Sequence, residues 1–134
     1  MPYAYAIALS VHALAAVFWA GTSFALARTG GVGAERLFRP QMGAAVIAVV
    51  SGGYLWSLVH AGAFGRMEQI LAIGIVCALI AATVQALMAG RAIKRMKRGE
   101  AHDYGARAQI IMAQRIAAGL LAFATVSMVV ARYL

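Results

Sequence analysis

Four long stretches of the chain are almost wholly apolar, and polar residues gather in the short segments between them. The stretches cover residues 3–27, 41–63, 67–89 and 109–133. Each is long enough to cross the hydrocarbon core of a bilayer as an α-helix, which takes about 20 residues. A helix also satisfies its own backbone hydrogen bonds in lipid. The pattern therefore predicts an all-α, polytopic membrane protein, a single domain built as a bundle of four transmembrane helices.

The segments between the stretches contain signals that end and begin helices. Gly30, Gly31 and Gly33 end the first helix, and Pro40 suits the first turn of the second. The third connection, residues 90–107, is strongly basic and is expected to be a loop. The first stretch lacks a basic segment before it and exceeds the 7–15 apolar residues of a signal peptide. We therefore expect it to be a retained helix.

Composition supports lipid as the solvent. The chain has 134 residues, of which 63% are hydrophobic and 12% charged, whereas soluble domains are about 45–50% apolar and about 25% charged. A soluble chain of this length has too high a surface-to-volume ratio to bury so much apolar surface. The sequence also lacks a Ser/His/Asp set and a nucleotide-binding glycine loop after a strand, which argues against the common soluble enzymes.

Basic residues predict the orientation. Nine Lys and Arg residues lie in the first and third connections, whereas Arg66 and Arg132 lie on the opposite side and Arg115 lies within the fourth stretch. By the positive-inside rule both basic connections are cytoplasmic and both termini lie outside, in a bacterial-type inner membrane. Segment 91–107 is expected to bind anionic lipid headgroups rather than nucleic acid.

Ionisable residues inside the membrane are the candidates for function, because each costs on the order of 3 kcal/mol to insert. His12 lies about 12 Å below the outer boundary and His60 about 4 Å below it, so His60 can reach water and His12 cannot. The same half of the bundle gathers ligands that suit a soft or redox-active metal: His12, His60, Cys77, Met67 and Met128. The plainer alternatives are apolar filling by Met and Cys, and a His12 that only pins two helices. Gln85 is a further, softer polar residue.

The helix face around His12 is made of small residues. His12 shares it with Ala8, Ala15, Ala16, Trp19 and Ser23, and the second helix offers Ser51, Gly52, Gly53, Trp56 and His60. Small residues beside one flat aromatic allow close approach of a helix or of a planar ligand. If His12 ligates a metal, its other ring nitrogen needs an acceptor, which we expect to be a backbone carbonyl or Ser51. Trp19 would then form an apolar wall beneath the cofactor.

Several motifs in the first two helices resemble a known family. His12, six residues and then Trp19-Ala20-Gly21 resemble the H-x6-W-x-G start of the membrane-spanning CopD (copper-resistance protein D) family. Arg36-Leu37-Phe38, followed by Pro40 and Met42, is similar to the stretch that opens the second helix of the related HemJ-type protoporphyrinogen oxidases. Ser51-Gly52 looks like the Thr/Ser-Gly of the second CopD helix. The resemblance covers residues 8–56.

The resemblance implies a bundle whose first-helix histidine binds a cofactor, haem b in HemJ-type proteins, or a bundle that handles copper. HemJ-type proteins carry a lysine early in the third helix, where this chain has Gln69, so protoporphyrinogen oxidation is not expected. A membrane redox partner or a second copy of the chain is a further expectation. We therefore expect haem b first, copper binding or transport second, and an accessory scaffold third. The haem site is expected at His12, His60, Trp19, Gly52, Gly53 and Arg132, and the copper site at His12, His60, Cys77 and Met128.

Overall fold

A computed structural model describes residues 2–60, 62, 64–99 and 103–133. Within these residues the structure is all-α. The helices are α1 (Pro2–Arg28), α2 (Ala34–Val59), α3 (Arg66–Val84), a π-helical segment (Gln85–Ala89), α4 (Gly90–Arg98) and α5 (Asp103–Ala131). Because α3, the π segment and α4 are continuous, the described residues form four helical rods, each long and apolar enough to cross a membrane. The predicted all-α, four-helix membrane bundle is confirmed.

The boundaries of α2 differ from the prediction. It begins at Ala34, directly after Gly33, whose φ of 86° is the left-handed conformation that glycine adopts readily. Pro40 therefore lies inside α2, and its predicted place in the first turn is wrong. The missing proline N–H removes one backbone bond, at an exposed position near the start of the helix. At its other end α2 stops at Val59, and His60 is its C-cap.

The basic connection is also more helical than predicted. Residues 90–98, expected to belong to a loop, form α4. This helix buries Ala92 and Ile93, while Arg91 and Lys94 are exposed, so it is amphipathic and keeps its charges in the polar region. His102 lies outside the described residues.

The rods pack in two pairs. α1 packs along α2, α3 packs along α5, and the pairs join where α1 meets α5. α2 and α3 are consecutive in the chain yet touch each other little. We call the end that holds Tyr3, the 60–65 connection and Tyr133 the terminal end, and the opposite end, with the 29–33 connection and Arg98, the basic end.

Small residues dominate the core, so the helices approach closely. One cluster lies at mid-bundle and a second lies towards the basic end, around Leu26, Ile93 and Ile110. Towards the terminal end, His12, Gly52, Leu55 and Trp56 are only half-buried. Large apolar side chains such as Phe24, Val50 and Phe123 cover the outside of the bundle, as lipid contact requires.

Candidate functional site

His12 is fixed to α2 by its Nδ1 atom. This atom lies 2.9 Å from the carbonyl oxygen of Ala48 and 3.1 Å from Oγ of Ser51. A carbonyl oxygen only accepts, so Nδ1 carries a proton in this contact, and in the neutral imidazole Nε2 is then the nitrogen with the lone pair. Ser51 Oγ donates its own hydrogen to the carbonyl oxygen of Ile47 at 2.6 Å, which leaves its lone pairs facing the imidazole. The predicted acceptors of His12 are thus confirmed.

Gly52 gives the imidazole room to lie against α2. A Cβ atom at this position would come within 3.1 Å of Cε1 of His12 and 3.5 Å of Nδ1. Any side chain here would displace the ring, because real Cβ contacts are rarely so short. A Cβ atom at Gly53 would meet nothing within 4 Å. Of these two predicted glycines, only Gly52 contacts the histidine.

Trp19 lies about 10 Å nearer the basic end than His12 on the same helix. It is 2% exposed, and its indole N–H donates to Oε1 of Gln85 at 2.6 Å. Gln85 in turn donates from Nε2 to Oγ of Ser23 at 2.8 Å and to Oε1 of Gln114 at 3.0 Å. Trp19 is therefore part of a polar cluster as well as a buried aromatic.

The cluster extends to a third glutamine. Gln41 donates from Nε2 to Oε1 of Gln114 at 3.1 Å and to Oγ of Ser23 at 3.2 Å, and Gln114 donates back to Oε1 of Gln41 at 3.3 Å. We call this set the amide network: Trp19, Ser23, Gln41, Gln85 and Gln114. Each member is at most 2% exposed. The network joins α1, α2, the π segment and α5, and it closes the bundle below His12.

Sequence reasoning missed most of this network. From sequence, Gln114 has no predicted role, Gln41 stands at the start of the second apolar stretch, and Gln85 is only a softer polar residue. The available signal was an amide at a core position in each of three apolar helices. In lipid such residues are buried because they hydrogen-bond across helices.

His60 is paired with Glu68 at the terminal end. Its Nδ1 lies 2.6 Å from Oε2 of Glu68, whose Oε1 accepts from the Gly65 N–H at 2.9 Å. The two side chains are 13% and 11% exposed. Since His60 caps α2 and Glu68 lies in the first turn of α3, the pair ties the end of one helix to the start of the next. Sequence reasoning did not assign Glu68 to the site.

The two histidines lie at different heights in the bundle. Gly52, against which His12 packs, precedes His60 by eight residues on α2, a rise of about 12 Å. This separation exceeds the ~8 Å expected from the predicted spans.

The remaining predicted residues are dispersed. Cys77 on α3 and Met128 on α5 are half-buried, and Arg132 is exposed just beyond α5. The described part of the chain holds no group of three or more His, Cys, Asp or Glu residues able to bind a metal ion.

No family model, curated protein or solved structure matches the chain. The resemblance to CopD-like and HemJ-type proteins therefore stays a prediction. Fold and site together define a four-helix membrane bundle that carries, within one rod, a half-buried histidine of fixed tautomer.

Proposed function

We propose that this chain binds haem b within the membrane, with Nε2 of His12 as an axial ligand. The observation that supports the proposal is the bond from His12 Nδ1 to the Ala48 carbonyl oxygen. Histidines that bind metals commonly donate the other ring N–H to a carbonyl or carboxylate, which orients the ring and makes the ligating nitrogen more basic. Carrying a histidine at this depth is costly, and haem ligation accounts for that cost.

The surroundings of His12 suit a flat apolar macrocycle. Gly52 lets the imidazole lie close against α2, and Ala15 and Ala48 are the neighbouring small residues of the core. Trp19 and the amide network close the floor of the site. Two cations near the terminal end, Arg66 and Arg132, are exposed and on the side where we place the haem propionates.

The role that follows is electron transfer or haem handling. A bound haem supplies one-electron chemistry, while the protein supplies the ligand, the apolar surroundings and the orientation. His12 is the one axial ligand that we assign to this chain, because His60 is about 12 Å away along α2. From the charge asymmetry we place the terminal end outside a bacterial-type inner membrane.

An absorption spectrum of the purified protein tests the proposal. Protein expressed with added haem precursor should show a Soret band, and His12→Ala should lose the band while far-ultraviolet circular dichroism still reports a helical bundle. His60→Ala is the matched control and should keep the band. An unchanged band in His12→Ala would overturn the proposal.

Copper found by elemental analysis without a Soret band would favour the copper alternative. Absence of both from the wild type would leave the helix-pinning role.

A further inference from the structure

We infer that haem reaches His12 through the seam between α2 and α3 at the terminal end, and that the His60–Glu68 pair is the latch on that seam. The inference rests on the proposed function, since it names the route and the control of the same site. Three observations support it: a closed basic end, a loosely packed seam and a single polar link across it.

The basic end of the bundle is closed in two layers. The amide network forms the first layer, with every member at most 2% exposed. Below it lies the second apolar cluster, in which Leu26, Ile93 and Ile110 are at most 5% exposed. A flat ligand the size of a porphyrin has no passage through these layers, so His12 is reached from the terminal half.

The seam between α2 and α3 is loosely packed. α2 packs on α1, and α3 packs on α5. The α3–α5 contact is tight, because a Cβ atom at Gly74 would lie 3.2 Å from the carbonyl oxygen of Ala124. On α2, by contrast, Gly52, Leu55 and Trp56 are only half-buried. The seam therefore opens beside Gly52, which lies against the His12 ring.

One side-chain bond crosses this seam. Among the residues that the structure describes, the 2.6 Å contact of His60 Nδ1 with Glu68 Oε2 is the one side-chain hydrogen bond between α2 with its cap and α3. The pair sits at the rim, partly reachable by water. A carboxylate makes this a charge-assisted bond, stronger than a neutral one. Breaking it removes the one side-chain hydrogen bond described across this seam.

Breaking the His60–Glu68 pair should change the rates of haem binding and release more than the affinity for haem. Opening the seam raises the rates at which the ligand enters and leaves. The hydrogen bonds of His12 to Ala48 and Ser51 stay as they are. Control of entry and release by a mobile closure is common in proteins. Variants of the pair should therefore change loading and release together and leave the equilibrium affinity nearly constant.

Haem transfer to an excess of apomyoglobin measures release. We expect Glu68→Gln and His60→Phe to speed both release and loading by about tenfold, with the ratio of the two rates unchanged. Gln69→Ala, next to Glu68 but exposed, is the matched control and should behave as wild type. Wild-type rates in both latch variants would overturn the inference.

A second measurement needs no haem. In a Cys77→Ala background, His12→Cys can be labelled with a membrane-impermeant thiol reagent. Labelling should occur from the terminal end, should be about tenfold faster when Glu68→Gln is added, and should not occur from the basic end. If the wild type binds no haem but labelling follows this pattern, the proposed function fails and the latch stands. If haem binds through His12 and labelling is insensitive to Glu68→Gln, the latch fails alone.

Discussion

The indole nitrogen of Trp19 lies 2.6 Å from the amide oxygen of Gln85, although 66 residues separate them in the chain. Because an indole N–H only donates, this contact fixes which way the Gln85 amide points. Its nitrogen must then donate to Ser23 and Gln114, and the Gln114 nitrogen must donate to Gln41. One donor thereby sets the direction of the whole amide network.

Trp19→Phe should destabilise the bundle by removing that donor. Oε1 of Gln85 would remain buried without its partner, at a cost of about 1 kcal/mol for a membrane protein. The thermal midpoint in detergent, followed by circular dichroism, measures the loss. Trp56→Phe is the control, since Trp56 is half-buried and its indole N–H donates to no residue that the structure describes. Equal midpoint shifts in the two variants would argue against a special role for the Trp19 donor.

Gln114→Glu should make stability depend on pH. As a carboxylate, Glu at this position places a buried charge against the Oε1 of Gln41, whereas the protonated acid can donate to it. A buried charge costs free energy that a neutral acid does not, so loss of the proton destabilises the folded variant more than the unfolded chain. The thermal midpoint should therefore fall as pH rises through neutrality. A midpoint that stays flat or rises would contradict this.

Gly52→Ala should disturb His12, because its Cβ would lie 3.1 Å from Cε1 of the ring. We expect a severalfold loss of bound haem or a shifted Soret band. Gly53→Ala is the neighbouring control, with open space at the same atom. The control should leave the spectrum intact and gain up to about 1 kcal/mol from helix propensity. Identical spectra for the two alanine variants would show that contact with Gly52 does not position the imidazole.

A fusion at the C terminus tests the orientation. With nine basic residues in the two connections of the basic end and two at the other end, the terminal end should face outwards. Alkaline phosphatase fused after residue 134 should be active and green fluorescent protein at the same place should be dark. The opposite pair of results would reverse the topology.

The chain should not rescue a strain that lacks protoporphyrinogen oxidase. If the predicted resemblance to HemJ-type proteins holds, Gln69 stands where those proteins carry lysine, and it is exposed at the start of α3. A neutral amide cannot supply the lysine charge. Growth without added haem, compared with Gln69→Lys and with an authentic oxidase, checks this. Robust growth with the native chain would show the expectation to be wrong.

The fold could be predicted from sequence because lipid imposes a simple rule on helix length and apolar content. The acceptors of His12 were also predictable, since a buried imidazole must donate to something and the facing helix offered Ser51 and bare backbone. Both inferences depend on local pattern and on the chemistry of one residue.

The amide network and the His60–Glu68 pair could not be predicted in the same way. Their bonds depend on the rotation of each helix about its axis and on which helices are neighbours. The contact between Trp19 and Gln85 requires α1 and the π segment to be neighbours in the bundle. Periodicity along the chain does not contain that information, because α2 and α3 are adjacent in sequence yet pack against other partners.

The π segment gives the third rod one residue more than an unbroken α-helix of the same course would hold. A π turn holds one residue more than an α turn, and here it covers Gln85–Ala89. Deleting one residue there would restore an unbroken α-helix and leave the residues beyond it facing the same neighbours. If the same residues formed a regular α-helix instead, α4 would turn by about 100°, so that Ala92 and Ile93 would leave α5 and Arg91 or Lys94 would face it. Relatives whose third rod is one residue shorter, without the π turn, should therefore have the apolar and basic positions of α4 one residue earlier in their sequence. A sequence alignment would show this shift.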